Sequence, residues 1–248
     1  MIETAMLADV PPEDYARVLD DVAANTLFEA RIEGPPVDPY DLARVQGITV
    51  AEDATQLGRG RYVRLGGRRG HRPQPAVLLR PEDRLERSHW ALAHEIGEHL
   101  AHRVFGQLNV SPTEAPADAR ETVANHLAGR LLVPSSWFLE DGTVCHWDLL
   151  RLKTRYFTAS HELLARRMLE LPPQVIVTII DKGQLYFRRS NIPGQVPPMA
   201  DVERDCQRRA NEHGRVTDGE TPPLTVQAWP IHEPDWKREI LRTEVDVW

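Results

Sequence analysis

Between Arg84 and Phe105 the apolar residues Trp90, Ala93, Ile96, Leu100 and Val104 recur at spacings of 3, 3, 4 and 4. That period is one stripe of an α-helix facing a core. The same stretch carries a string that no core requires, His94-Glu95-Ile96-Gly97-Glu98-His99. Any fold for this chain must bury one face of the helix and leave an imidazole and several carboxylates together beside it.

Helix geometry decides which of these groups can act together. At about 100° per residue, positions 94 and 98 differ by about 40°, whereas 94 and 99 differ by about 140°. His94 and Glu98 can therefore share one metal ion. His99 joins them only if the helix is distorted, for instance by a π-bulge near Gly97, and is the weaker candidate. The string approaches the H-E-x-x-H pattern, in which two His one turn apart bind zinc and the Glu between them activates water. Here Glu98 stands where that pattern has its second His, and Glu95 is the candidate base. A second helix, about 117–133 and ended by Pro134, places Glu121 on a stripe with Ala124, Ala128 and Leu131. Glu121 is thus expected on the buried side, where a carboxylate needs a partner such as a metal ion. The alternative is a first-turn residue that compensates the helix dipole.

The rest of the chain reads as α+β. Helices are expected over 12–31 and about 38–46, then short strands at 48–51, 61–65 and 76–79 forming an antiparallel meander separated by Gly/Arg-rich loops (58–60 and 66–70). Helical patterns recur at about 147–156 and 160–170, with Thr158-Ala159-Ser160 as a cap. After Pro172-Pro173 the pattern changes to strands at 175–180 and 185–188, a polar helix at about 200–212, and strands near 224–229 and 238–246. The expected division is residues 1–172 as the domain carrying the site, and residues 173–248 as a smaller α+β module.

Composition narrows the chemistry. The chain holds 30 Lys+Arg against 37 Asp+Glu, a net charge of -7. That argues against a protein living by non-specific contacts to phosphate backbones. Only two cysteines occur, Cys145 and Cys206, so an all-cysteine zinc site and a disulfide framework are excluded. A metal site must use imidazole and carboxylate. No segment approaches the ~18 apolar residues of a membrane span. Residues Met1 to Val10 lack a signal-peptide pattern, so the expected location is the cytoplasm.

Glu86-Arg87-Ser88-His89-Trp90-Ala91-Leu92-Ala93-His94-Glu95-Ile96-Gly97 resembles the zinc helix of the ImmA/IrrE metallo-endopeptidases. Glu121-Thr122-Val123-Ala124-Asn125-His126-Leu127-Ala128, followed by Leu131-Leu132-Val133-Pro134, is similar to that family's second motif. The resemblance covers about residues 20–171. It implies a zincin-like core, an active-site helix with a small antiparallel sheet, in which Glu121 is the third ligand. The resemblance implies His94 and Glu121 as ligands and Glu95 as catalytic base; Glu98, standing where the family has its second zinc-binding His, is the remaining candidate ligand, and Asn125, one turn after Glu121, is placed to hold a ligand in position. The implied activity is endoproteolysis of a helix-turn-helix repressor, relieving repression of a mobile element or a stress response. One imidazole and two carboxylates suit zinc but tilt preference toward harder ions such as manganese or iron.

A second class of function is a non-catalytic regulator that binds a repressor or DNA. The helix pair 147–170, with Arg151, Lys153, Arg155, Arg166 and Arg167, is the segment that would serve as a helix-turn-helix. Packing on the peptidase-like core, residues 1–172, with solvated charges is the favoured expectation for that pair. His89, His102 and His126 are expected at the surface.

Overall fold

The computed structural model describes residues 10–66, 73–110 and 116–246. Residues 67–70 of the second Gly/Arg-rich loop, His71, Pro112, Trp248 and the first nine residues of the N-terminal segment lie outside the described residues. Packing divides the chain into two compact units, residues 1–138 with 155–159, and residues 139–154 with 160–248. The sequence boundary at 172/173 marks a change from helices to strands. The packing division falls earlier in the chain.

The first unit is built around α3 (Leu85–Gln107), with α1 (Pro12–Glu29), α2 (Pro39–Val45) and α4 (Ala117–Leu132) packed against it. Ala93, Ile96, Leu100 and Val104 are fully buried, as their spacing requires, and Leu92 and Phe105 widen the stripe. Leu19 and Val22 of α1, Leu42 of α2, and Leu127 and Leu131 of α4 meet it in one cluster. Each such side chain contributes roughly 1.5–3 kcal/mol by leaving water. Asp38 caps α2, accepting a hydrogen bond from the Tyr40 amide at 2.8 Å.

The small sheet of this unit consists of β1 (Thr49–Glu52), β2 (Gly60–Leu65) and β3 (Gln74–Leu79), in the order β1-β3-β2. β2 is antiparallel to β3, but β1 is parallel to it, with Thr49 opposite Ala76. The sheet is therefore mixed, which corrects the expected antiparallel meander. The reason is chemical. β3 is the most apolar of the three strands and takes the centre, where both edges are paired. β2, which carries arginines, takes an edge.

The second unit is a five-stranded antiparallel sheet in the order β5-β4-β8-β7-β6. Its strands are β4 (Val175–Asp181), β5 (Gln184–Ser190), β6 (Thr217–Thr221), β7 (Leu224–Glu233) and β8 (Trp236–Val245). Helix α8 (Asp201–His213) lies across β6, β7 and β8 over a small apolar cluster that includes Cys206, Ala210, Val226 and Leu241. Beneath α8 the Glu203 carboxylate is almost wholly buried. It accepts hydrogen bonds from both terminal nitrogens of Arg188 (3.0 and 2.9 Å), from the Thr243 hydroxyl (2.6 Å) and from the Ala200 amide (2.7 Å). Every oxygen of that carboxylate is therefore satisfied, the condition for a buried charge to persist.

Two elements have no counterpart in the sequence reading, α5 (Ser135–Val144) and β6. The helix pair read at 147–170 is α6 (Leu149–Arg155) and α7 (His161–Met168), and the Ser160 hydroxyl caps α7 by accepting from the Leu163 amide at 3.1 Å. α7 packs on β4 and β8 of its own unit, which corrects the expectation that the pair packs on the peptidase-like core. Arg166 is paired with Glu162 and stacks on the Phe187 ring, while Arg167 is buried against Glu170. Arg167 is thus withdrawn from solvent, while the Arg166 side chain stays 41% exposed. No described helix is long and apolar enough to cross a membrane.

Candidate metal centre

α3 runs as uninterrupted α-helix from Leu85 to Gln107, so no bulge at Gly97 turns His99 toward His94. His94 and Glu98 consequently project from one face, one turn apart. α4 supplies Glu121 from the side. Each of these three residues offers a ligand atom within 4.8 Å of the others, and His99 is not among them. His99 instead shares a 2.9 Å hydrogen bond, through Nδ1, with the Tyr62 hydroxyl on β2.

The helices can bring these groups together because Gly97 has no side chain. A Cβ there would lie 2.6 Å from the Ala124 carbonyl oxygen and 3.0 Å from its Cα. Only glycine allows the α4 backbone to pass this close to α3, three residues after Glu121 and one before Asn125. Glu121 itself is 59% exposed in its side chain, while Ala124, Ala128 and Leu131 are buried. This corrects the expectation that Glu121 points inward. Glu121 is the fifth residue of α4, past its first turn, and its side chain reaches toward His94 instead of inward.

Asn125 ties the site across the two helices. Its Oδ1 lies 3.1 Å from His94 Nδ1, and its Nδ2 donates to Glu121 Oε1 at 3.1 Å. With the Nδ1 proton given to Asn125, the lone pair of His94 is on Nε2, the nitrogen that faces Glu121 Oε2 at 3.4 Å. Two ligands bound at the usual zinc distances and a tetrahedral angle sit about 3.4 Å apart. The donor set and its spacing thus fit a divalent ion.

Glu95 lies next to this group and is 8% exposed. Gly60 at the start of β2 backs it, since a Cβ on Gly60 would stand 2.9 Å from Glu95 Oε1. The Tyr62 amide donates a hydrogen bond to the same carboxylate. Burial pushes the Glu95 carboxyl above its ordinary range. His94 and the Tyr62 amide oppose that shift, and the carboxylates of Glu98 and Glu121 add to it.

Sequence reasoning did not foresee Gly60 or Tyr62 at the site. The only signal was a glycine between two arginines at a strand start. His89 is buried, edge-on to the Tyr40 ring, and not at the surface as expected. It lies seven residues before Ile96, on the same apolar stripe. His126 is half-buried and bonded to the Tyr15 hydroxyl at 2.9 Å, and His102 is exposed.

A family model described as Peptidase M78, IrrE N-terminal-like domain, matches residues 43–169, just over half of the chain. The chain belongs to this family. The M78 segment contains all five residues of the site, His94, Glu95, Glu98, Glu121 and Asn125, and so makes the chain metallopeptidase-like. Among curated proteins no sequence matches it. The fold is similar to that of a solved structure described as a Mycobacterium tuberculosis transcriptional regulator, with a TM-score of 0.66 and 15% identity over 95% of this chain and 81% of that one. That likeness is one of fold.

Proposed function

We propose that this M78 protein is a divalent-metal-dependent endopeptidase of the ImmA/IrrE type that cleaves a helix-turn-helix repressor and so relieves repression, in a mobile element or a stress response. The observation that carries the reading is the convergence of His94, Glu98 and Glu121 beside the buried Glu95. His94 Nε2 and one oxygen each of Glu98 and Glu121 would hold the ion, which is zinc, manganese or iron. When bound, such an ion supplies an acidified water and polarises the scissile carbonyl. Glu95 takes a proton from the attacking water on its carboxylate and returns it to the leaving amine. Its raised proton affinity suits a group that must take a proton from water and hold it until the amine leaves. Asn125 keeps His94 in the tautomer that presents Nε2.

Residues 1–172 are proposed to carry the chemistry, and residues 173–248 to recognise substrate or a signal. The location that fits this role is the cytoplasm, where repressors act. The test combines metal content with one substitution. Protein purified without a metal-affinity tag and incubated with zinc, manganese or iron is expected to hold about one ion per chain. Less than about 0.1 ion per chain under all three conditions sinks the reading. Glu95→Gln is expected to abolish cleavage of a repressor encoded beside this gene while the circular dichroism spectrum is unchanged. Relief of repression surviving that substitution would favour a non-catalytic regulator.

A further inference from the structure

We propose that the edge strand bordering Glu95 selects an acidic peptide, with Arg61 and Arg64 as specificity-determining residues. The inference rests on reading the site as a peptidase and names its substrate class.

The chain as a whole carries a charge of -7, yet residues 59–72 contain six arginines and no acidic residue. Three of those arginines, Arg59, Arg61 and Arg64, are described, and all three are exposed. Their surroundings do not neutralise them. Among the described residues Glu82 is the one carboxylate paired with Arg59 (3.6 Å), and it is shared with Arg80 (3.2 Å) and Arg87 (3.6 Å). Arg61 and Arg64 form no ion pair with any described residue. The excess positive charge is therefore held on β2 and the loop leading into it.

β2 is bonded to β3 along one side, and its other side is an open edge among the described residues. An extended peptide adds to such an edge through main-chain hydrogen bonds, and its alternate side chains are read by whatever flanks the strand. Side chains of a strand alternate between faces. Gly60 and Tyr62 face α3, where they meet Glu95 and His99, so Arg64 belongs to that face and Arg61 to the opposite one. Each guanidinium is placed to pair with a carboxylate on one face of an added strand.

Position matters, because the site's own carboxylates repel a substrate acid placed beside them. Arg64 stands four residues from Gly60, about 13 Å at the rise of a strand. That exceeds the screening length of about 8 Å at physiological salt. An acid facing Arg64 therefore lies beyond the reach of the site's carboxylates, and one facing Arg61 lies on the face of the strand turned away from them. A nucleic acid fits this surface less well. A phosphate backbone places a charge at every step, so it would meet Glu95, Glu98 and Glu121 as well as the arginines.

The test uses two fluorescein-labelled peptides of equal length, identical except that one carries glutamate and the other lysine at the same two positions, three residues apart, so that one charge falls on each face of the added strand. Binding to the full chain bearing Glu95→Gln is read by fluorescence anisotropy in EDTA at low salt. The glutamate peptide is expected to bind about tenfold more tightly, with the preference shrinking as salt rises. Arg61→Glu with Arg64→Glu is expected to invert the order, and Arg61→Gln with Arg64→Gln to remove it. The proposal is overturned if the two peptides bind alike, if neither binds, or if the order survives either double substitution. It is also overturned if a duplex oligonucleotide displaces the glutamate peptide more effectively than the unlabelled peptide does. Because no bond is cut in the assay, an inactive chain can pass it and an active peptidase can fail it.

Discussion

The same substitution at two places on α3 is predicted to have opposite effects. At Gly97 the Cβ of an alanine would stand 2.6 Å from the Ala124 carbonyl oxygen. An ordinary contact needs about 3.4 Å, so the α4 backbone must retreat by about 0.8 Å in a packed interior. Overpacking of this kind costs about 1–3 kcal/mol, against a helix-propensity gain of up to about 1 kcal/mol. The net expectation for Gly97→Ala is a loss of about 1–2 kcal/mol, or a Tm lower by about 2–8 °C. At Gly106 a Cβ meets nothing within 4 Å. Gly106→Ala should therefore gain about 0.5–1 kcal/mol. The Gly97 change carries a second signature. Glu121 and Asn125 travel with α4, and functional constellations tolerate displacements of only about 0.5 Å. Metal affinity should fall in Gly97→Ala and stay unchanged in Gly106→Ala. Thermal melts followed by circular dichroism, with metal titrations on both variants, decide the matter. If Gly97→Ala stabilises the chain as Gly106→Ala does, the close helix contact is not the constraint described.

Three other substitutions separate the parts of the structure. Asn125→Ala removes the bridge between His94 and Glu121 and should weaken metal binding about 10–100-fold, read by competition with a chelating dye. Glu98→His replaces a hard oxygen donor with an imidazole and should shift preference from manganese toward zinc, measured as the ratio of the two dissociation constants. Glu203→Ala leaves Arg188 buried without its carboxylate and should cost about 3–5 kcal/mol. That loss should appear as faster amide exchange in α8 and the strands beneath it.

The legible parts of this chain were those governed by a local period. The stripe through Ala93, Ile96, Leu100 and Val104 located α3, and an uninterrupted helix then placed His94 beside Glu98 and turned His99 away. Contacts between elements were harder to read. Gly60 against Glu95 and Gly97 against Ala124 arise from docking, and a glycine in sequence does not announce what will approach it. β1 lies parallel to β3 because the apolar strand takes the centre, an outcome set by three strands together. β6 escaped notice because Thr217–Thr221 has no apolar residue and lies at an edge. Glu121 lies on the buried stripe by counting, yet its side chain reaches toward His94 and stays largely exposed.

The bridge through Asn125 bears on how the proposed enzyme would be controlled. Two hydrogen bonds internal to the protein hold the ligands of α3 and α4 in register, and the apolar cluster of the first unit holds the helices themselves. Folding of this unit is therefore expected to proceed without an ion, unlike that of small domains whose folding energy is their metal binding. A chelator should empty the proposed site and leave the scaffold standing. The active fraction then follows the free concentration of the ion, and a standing pool of protein can be switched on by supply alone, without new synthesis.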